Sequence, residues 1–166
     1  MALLSFSCLC LPHSVQGQCV ENNYLRWVDD IAHDAKLDGK KSHLCNDENS
    51  SIQYFNPTLG LQYEGEKTAI ENTFYKKYKP VKVLESGWIR VRFIVNCKGE
   101  AGRFRVIESD ENYTPRPFSP IITTQILKIT KSLKGWKPLQ YQDRPADYYQ
   151  YVIVKIKNGN IEKILP

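Results

Sequence analysis

The sequence predicts an α+β domain: an antiparallel sheet of three to four strands covered by two helices, with an extra helix ahead of it. Three observations carry this expectation. From Trp88 to Glu108 the chain alternates with period two on either side of a turn containing Gly99, which is the pattern of a half-buried β-hairpin. Stretches with apolar residues at helical spacing flank that hairpin on both sides, and a lone hairpin needs such cover to be stable in water. Asn158-Gly159, set between two further alternating runs, is a strong two-residue hairpin signal.

Composition agrees with a globular chain. Of 166 residues, 42% are hydrophobic, and the 10 Tyr, 6 Phe and 3 Trp argue against disorder. The net charge of +5 permits an acidic partner. No run of Lys and Arg exceeds two residues, so nucleic acid is not an expected partner.

Residues 1–17 read as a signal peptide. Met1 to Leu11 is apolar but too short to span a bilayer, and Val15 and Gly17 are small residues at positions suited to cleavage. The missing basic start points to further residues upstream. A hydrophobic N-terminal element of the domain is the competing reading, and Cys8, Cys10 or Cys19 would serve a lipid anchor. Export leaves Cys19, Cys45 and Cys97, hence one disulfide and one spare thiol. Cys45 with Cys97 is preferred, since it would pin the N-terminal segment to the hairpin turn; Cys19 with Cys45 is the alternative. A zinc set of His33, His43 and Cys45 matches no standard ligand spacing.

Residues 18–62 read as a helical segment and a polar linker. Tyr24, Leu25, Val28, Ile31, Ala32 and Ala35 recur at helical spacing, giving a helix over Gln18–Lys41 that stops at Asp38-Gly39. His33 follows Asp29 by one turn. That pair suits acid–base chemistry, but a surface ion pair explains it as well. Ser42 to Ser51 is the linker, Ser51 to Phe55 a short strand, and Asn56 to Gly60 a turn.

The main domain is expected from residue 63 to 166. Glu64 to Lys79 forms the first covering helix, with Ala69, Ile70, Phe74 and Tyr78 on one face, acidic residues early and basic ones late; Pro80 stops it. Lys76, Lys77 and Lys79 form a basic end, which is commonly only a solvated one. In the hairpin, Ile89, Val91, Phe93, Val95, Phe104 and Val106 share the buried face. The loop from Asp110 to Pro120 leads to Ser119 as N-cap and Pro120 as first residue of the second helix. Its stripe is Ile122, Ile126, Ile129 and Leu133, and Gly135 ends it. Gln140 to Ala146 reads as a polar loop. Tyr149 to Lys157 is the third long strand, and Asn160 to Leu165 a short last one.

Pairing Val95 near Gly102 would set Arg92 opposite Arg105, with Arg90 and Arg103 as diagonal neighbours. Like charges facing across strands are destabilising. Either all four are solvated, or an acidic group lies over them, for which Asp110-Glu111 is the nearest candidate in sequence.

In its order of elements the chain resembles the C-terminal domain of TonB, the periplasmic energy transducer. The features that match are Tyr78-Lys79-Pro80 at the helix end, the strands around Lys98-Gly99, Trp136-Lys137-Pro138 after the second helix, and the hairpin from Lys155 to Ile161. The resemblance implies a non-enzymatic module that takes up an extended peptide, such as that of an outer-membrane receptor, by strand addition. Carried onto this chain, the accepting strand is Tyr149 to Lys157, through Tyr149, Tyr151, Ile153 and Lys155. The last strand would either cover that edge or yield it. Arg90, Arg92, Arg103 and Arg105 form a second candidate surface. The chain departs from TonB in having no membrane anchor and no Pro-rich spacer, so a stand-alone binding protein of the Gram-negative periplasm is expected rather than an energy transducer. Transport by association, no cofactor and no metal follow from the same reading. A structural or lipid-anchored outer-membrane component is the alternative, and a homodimer with exchanged strands would have the same sequence. No nucleophile motif, phosphate-binding Gly loop or close carboxylate pair suggests an enzyme.

Overall fold

The computed structural model describes residues 31–38, 43–47, 50–53 and 60–165. Two helices, α1 (Glu66–Lys77) and α2 (Pro120–Lys131), accompany six strands: β1 (Gly87–Val95), β2 (Ala101–Ser109), β3 (Leu139–Tyr141), β4 (Arg144–Ala146), β5 (Tyr148–Lys157) and β6 (Asn160–Leu165). The main sheet is antiparallel with strand order β2-β1-β5-β6, and β3-β4 is a separate small hairpin. The expected α+β class and helix-covered sheet are thus present.

One face of the sheet carries the core. Ile89, Val91, Phe93 and Val95 of β1 join Val152, Val154 and Ile156 of β5, and Ile70, Phe74, Ile122 and Ile126 of the helices close over them. Phe74, Ile122 and Ile126 are wholly buried. Phe93 lies at its centre, with ring centroids 5.1 Å from Phe104 and 5.0 Å from Trp136. Burial of this apolar face, rather than helix propensity, holds two helices that are each only three turns long.

The hairpin register has Arg92 opposite Arg105 and Ile94 opposite Gly102. Between those pairs β1 spends one residue, Phe93, and β2 spends two, Arg103 and Phe104. This is a β-bulge, and Arg103 adopts a φ of 54° within it. The extra residue returns Phe104 to the core face and leaves Arg103 on the same face as Arg105.

Several local expectations change. The first helix ends at Lys77; Tyr78 is already extended, but its buried hydroxyl donates to the Gly159 carbonyl at 2.9 Å. Ser119 is the N-cap of α2, yet its side chain makes no capping bond. Carboxylates from elsewhere serve that end instead: Glu85 accepts from the Ser119 amide, and Glu108 accepts from the Thr123 hydroxyl. The stretch Gln140 to Ala146 is the β3-β4 hairpin rather than a loop. Gln142 and Asp143 both take positive φ, as a tight hairpin turn requires, and only Leu139 and Ala146 are buried. At Asn158-Gly159 the expected turn is present, and a Cβ on Gly159 would collide with the Val81 carbonyl.

The helix expected over Gln18–Lys41 lies largely outside the described residues, but its last part differs. Residues 31–38 are coil and turn. The backbone groups a helix would consume are taken elsewhere: the carbonyls of Ile31 and Ala32 accept from Arg103 and Arg105, and the Ile31 amide donates to the Tyr149 hydroxyl. The signal-peptide, lipid-anchor and Asp29 readings also fall outside the described residues. Among those described, no helix is long and apolar enough to cross a membrane.

Candidate functional site

The sheet face opposite the helices is built from Arg90, Arg92 and Ile94 of β1, Arg103, Arg105 and Ile107 of β2, and Tyr149, Tyr151 and Ile153 of β5. Register places Arg92 between Arg105 and Tyr151, and Arg90 between Ile107 and Ile153. Arg90, Arg92 and Arg103 are only 6–7% exposed, so the reading of four solvated charges does not hold. The guanidinium of Arg90 sits 4.2 Å from the Tyr151 ring centroid, and that of Arg92 lies 5.5 Å from the Tyr149 ring. Burial pushes the pKa of Arg90 down to about 10.

An acidic group does lie over this face, but it is Asp38 and not Asp110-Glu111. Both Asp38 carboxylate oxygens accept from Arg105, each at 2.7 Å. The fork-to-fork pair is charge-assisted and geometrically specific. Arg105 also donates to the Ala32 carbonyl, and Arg103 to the Ile31 carbonyl. Ile31 packs with Ile94, Tyr149 and Leu44 in a second apolar cluster. The like-charge contact between Arg92 and Arg105 is therefore relieved by the chain's own N-terminal segment. Beside it lies an open hollow of about 620 Å³ lined by residues including His33, Asp34, Arg92 and Arg105. His33 is exposed at its rim.

The expected linker is also tied down. Cys45 and Cys97 form a disulfide with Cα atoms 5.9 Å apart, which joins residues 43–47 to the β1-β2 turn as preferred from the sequence. It also removes the thiolate that a zinc set of His33, His43 and Cys45 would need. Asp147, wholly buried, sits beneath the bridge. Its carboxylate accepts the backbone N–H of Cys45 at 2.9 Å, of Asn46 at 2.8 Å and of Cys97 at 2.9 Å. Asn96 adds a bond to the His43 carbonyl. Ile52, in the expected short strand, makes a parallel bridge to Tyr148.

All eight sequence-selected residues thus fall on one sheet face: Tyr149, Tyr151, Ile153, Lys155, Arg90, Arg92, Arg103 and Arg105. They do not form one open edge. β5 is paired with β1 along its length and with β6 from Ile153 to Lys157. The last strand thus covers the second half of that edge, and Ile52 bridges Tyr148 at the start of the first half. Lys155 instead pairs with Glu162 of β6 at 2.9 Å and lies 5.4 Å from the Trp88 ring. The two outer strands of the sheet are β2 and β6. The chain folds back on the end of β2, where Ser109 bridges Pro115 and the Arg116 amide donates to the Glu108 carbonyl. Among the described residues β6 has no strand on its outer side. Sequence reasoning left open whether β6 covers β5 or yields, and it overlooked the anchoring roles of Asp38 and Asp147.

The Asp38–Arg105 pair gives folding a pH dependence. The Arg105 hydrogen bond holds the Asp38 carboxyl at about 2, against an ordinary value of 3.8. A depressed folded-state pKa contributes stability that is complete above the unfolded value and lost as pH falls through the folded one. Wild type should therefore lose about 2 kcal/mol between pH 4 and pH 2 from this pair. Urea unfolding across that range should be shallower by that amount in Asp38→Asn.

Compared with family models, curated proteins and solved structures, the chain matches none.

Proposed function

We propose that this protein is a non-catalytic binding module of the cell envelope that takes up an extended peptide of a protein partner by strand addition, as the resemblance to TonB C-terminal domains implies. In this reading the accepting position is the outer side of β6 instead of Tyr149–Lys157, since β6 pairs with Ile153–Lys157. The observation that supports this reading is that, among the described residues, no strand lies outside β6, in a sheet whose other outer strand is folded back upon at its end. An added strand gains backbone hydrogen bonds there, while Glu162 and Lys163, both exposed, supply selectivity and discourage indiscriminate edge pairing. A disulfide-stapled scaffold suits an oxidising compartment such as the periplasm. The arginine face is less suited to docking, because Asp38 of the same chain already engages it. This last point favours, as a second reading, a structural component in which the N-terminal segment seals the sheet.

A photo-crosslinking amino acid placed at Glu162, Lys163 and, as a distant control, Lys134 tests the proposal in envelope extracts. A discrete adduct from the β6 positions alone is expected. Adducts from Lys134 alone, or from none of the three, would favour the structural reading.

A further inference from the structure

The helix layer carries the chain's excess positive charge. From Asn72 to Leu84 there are four lysines and no acidic residue, and from Asn112 to Gln142 there are five basic residues and no acidic one. The whole chain is only +5. Lys76, Lys77, Lys79, Lys82, Lys128 and Lys131 are all exposed, and among the described residues none of them is ion-paired.

The fold gathers part of this charge into one place. Lys77, Lys79 and Lys128 line a cleft of about 360 Å³ between the end of α1 and α2, floored by Ile129 and Ser132. The Lys79 amide and carbonyl both bond the Gln125 side chain, and Glu85 accepts from the Ser119 amide. Residues 79–85 are therefore fastened along the first turns of α2. That arrangement presents two large apolar side chains near the same end of the layer: Leu84, 91% exposed, and Ile121, 61% exposed.

We propose that this helix face docks on an anionic membrane surface, with lysines of the cleft over lipid phosphates and Leu84 and Ile121 entering the interface. Three features favour a membrane over an acidic polypeptide. The cations in the cleft are all lysines, point charges suited to a diffuse negative field, whereas fixed carboxylates are better matched by the guanidinium fork. The charge extends across the layer instead of stopping at the cleft. Protruding aliphatic side chains amid lysines are what interfacial binding requires. This inference concerns the helix layer and not the outer side of β6, although residues 80–84 adjoin the β5-β6 turn and Asn160.

The test is co-sedimentation of the full chain with vesicles of phosphatidylcholine alone or with about one-third phosphatidylglycerol, at low and high salt. Binding to the anionic vesicles only, reduced by salt, is expected. Replacing Lys77, Lys79 and Lys128 together with Glu should weaken it at least about tenfold. Leu84→Ser with Ile121→Ser should weaken it at constant charge, while Lys36→Glu, an exposed position in the segment over the opposite sheet face, should leave it close to wild type. Circular dichroism and urea unfolding confirm that each variant is folded. Equal binding to neutral vesicles, or anionic binding unchanged in the folded triple variant, would overturn the proposal. So would binding of soluble polyglutamate in place of vesicles, which would assign the face to an acidic protein.

Discussion

Removal of the disulfide by Cys97→Ser is expected to lower the free energy of unfolding by about 4 kcal/mol, as estimated from loop closure over a separation of 52 residues. The bridge restrains the unfolded chain, and in the folded state it holds residues 43–47 against the β1-β2 turn. The helices and the four-stranded sheet contain neither cysteine's partner contacts, so the reduced protein should keep its helix-side core. Urea unfolding of oxidised, reduced and Cys97→Ser protein measures this. A loss of under about 1 kcal/mol would mean that the bridge restrains the unfolded chain far less than loop closure predicts.

Asp147→Asn should cost about 3 kcal/mol. The carboxylate accepts N–H groups on both of its oxygens, from Cys45 and Cys97 on one and from Cys45 and Asn46 on the other. An amide in its place has one oxygen, and its NH₂ group would face a backbone donor. Its size is unchanged, so the cost reports hydrogen bonding and charge rather than a cavity. The two substitutions share contacts. Combined with Cys97→Ser, the loss should fall short of the sum, because a released segment no longer presents its amides to residue 147. Strict additivity in the double variant would show that Asp147 and the bridge act separately.

Elements with a strong period were legible in the sequence, and elements specified by long-range contacts were not. β1, β2 and β5 were visible because Ile89 to Val95, and Val152 to Ile156, bury every second residue on the helix side. The helices were visible from Ile70 and Phe74 and from Ile122, Ile126 and Ile129. The arginine pairing across the hairpin was also reached, but the register at the turn alone, Val95 with Ala101, would set Arg92 opposite Phe104; the bulge at Arg103 restores the pairing with Arg105. The β3-β4 hairpin was hidden, because Gln140, Tyr141, Gln142 and Asp143 show no alternation and only its two ends are buried. In residues 31–38 the helical spacing of Ile31, Ala32 and Ala35 was misleading. Arg103 and Arg105, more than 60 residues later, capture the carbonyls a helix would use. Asp38 read as part of a helix stop and Asp147 was not singled out, because their partners are remote in sequence. The internal position of β5 followed from β6 pairing outside it, a choice that alternation alone does not specify.

Strand addition at β6 is tested most directly by amide hydrogen exchange of the full, oxidised chain, with and without the extended peptide identified from the crosslinked adduct. The account predicts slower exchange for amides on the outer side of β6, with β5 and the helices unchanged. Faster exchange throughout Asn160–Leu165 on peptide addition would mean that β6 is displaced and the peptide takes its place on β5. No change in β6 would contradict strand addition at this edge altogether.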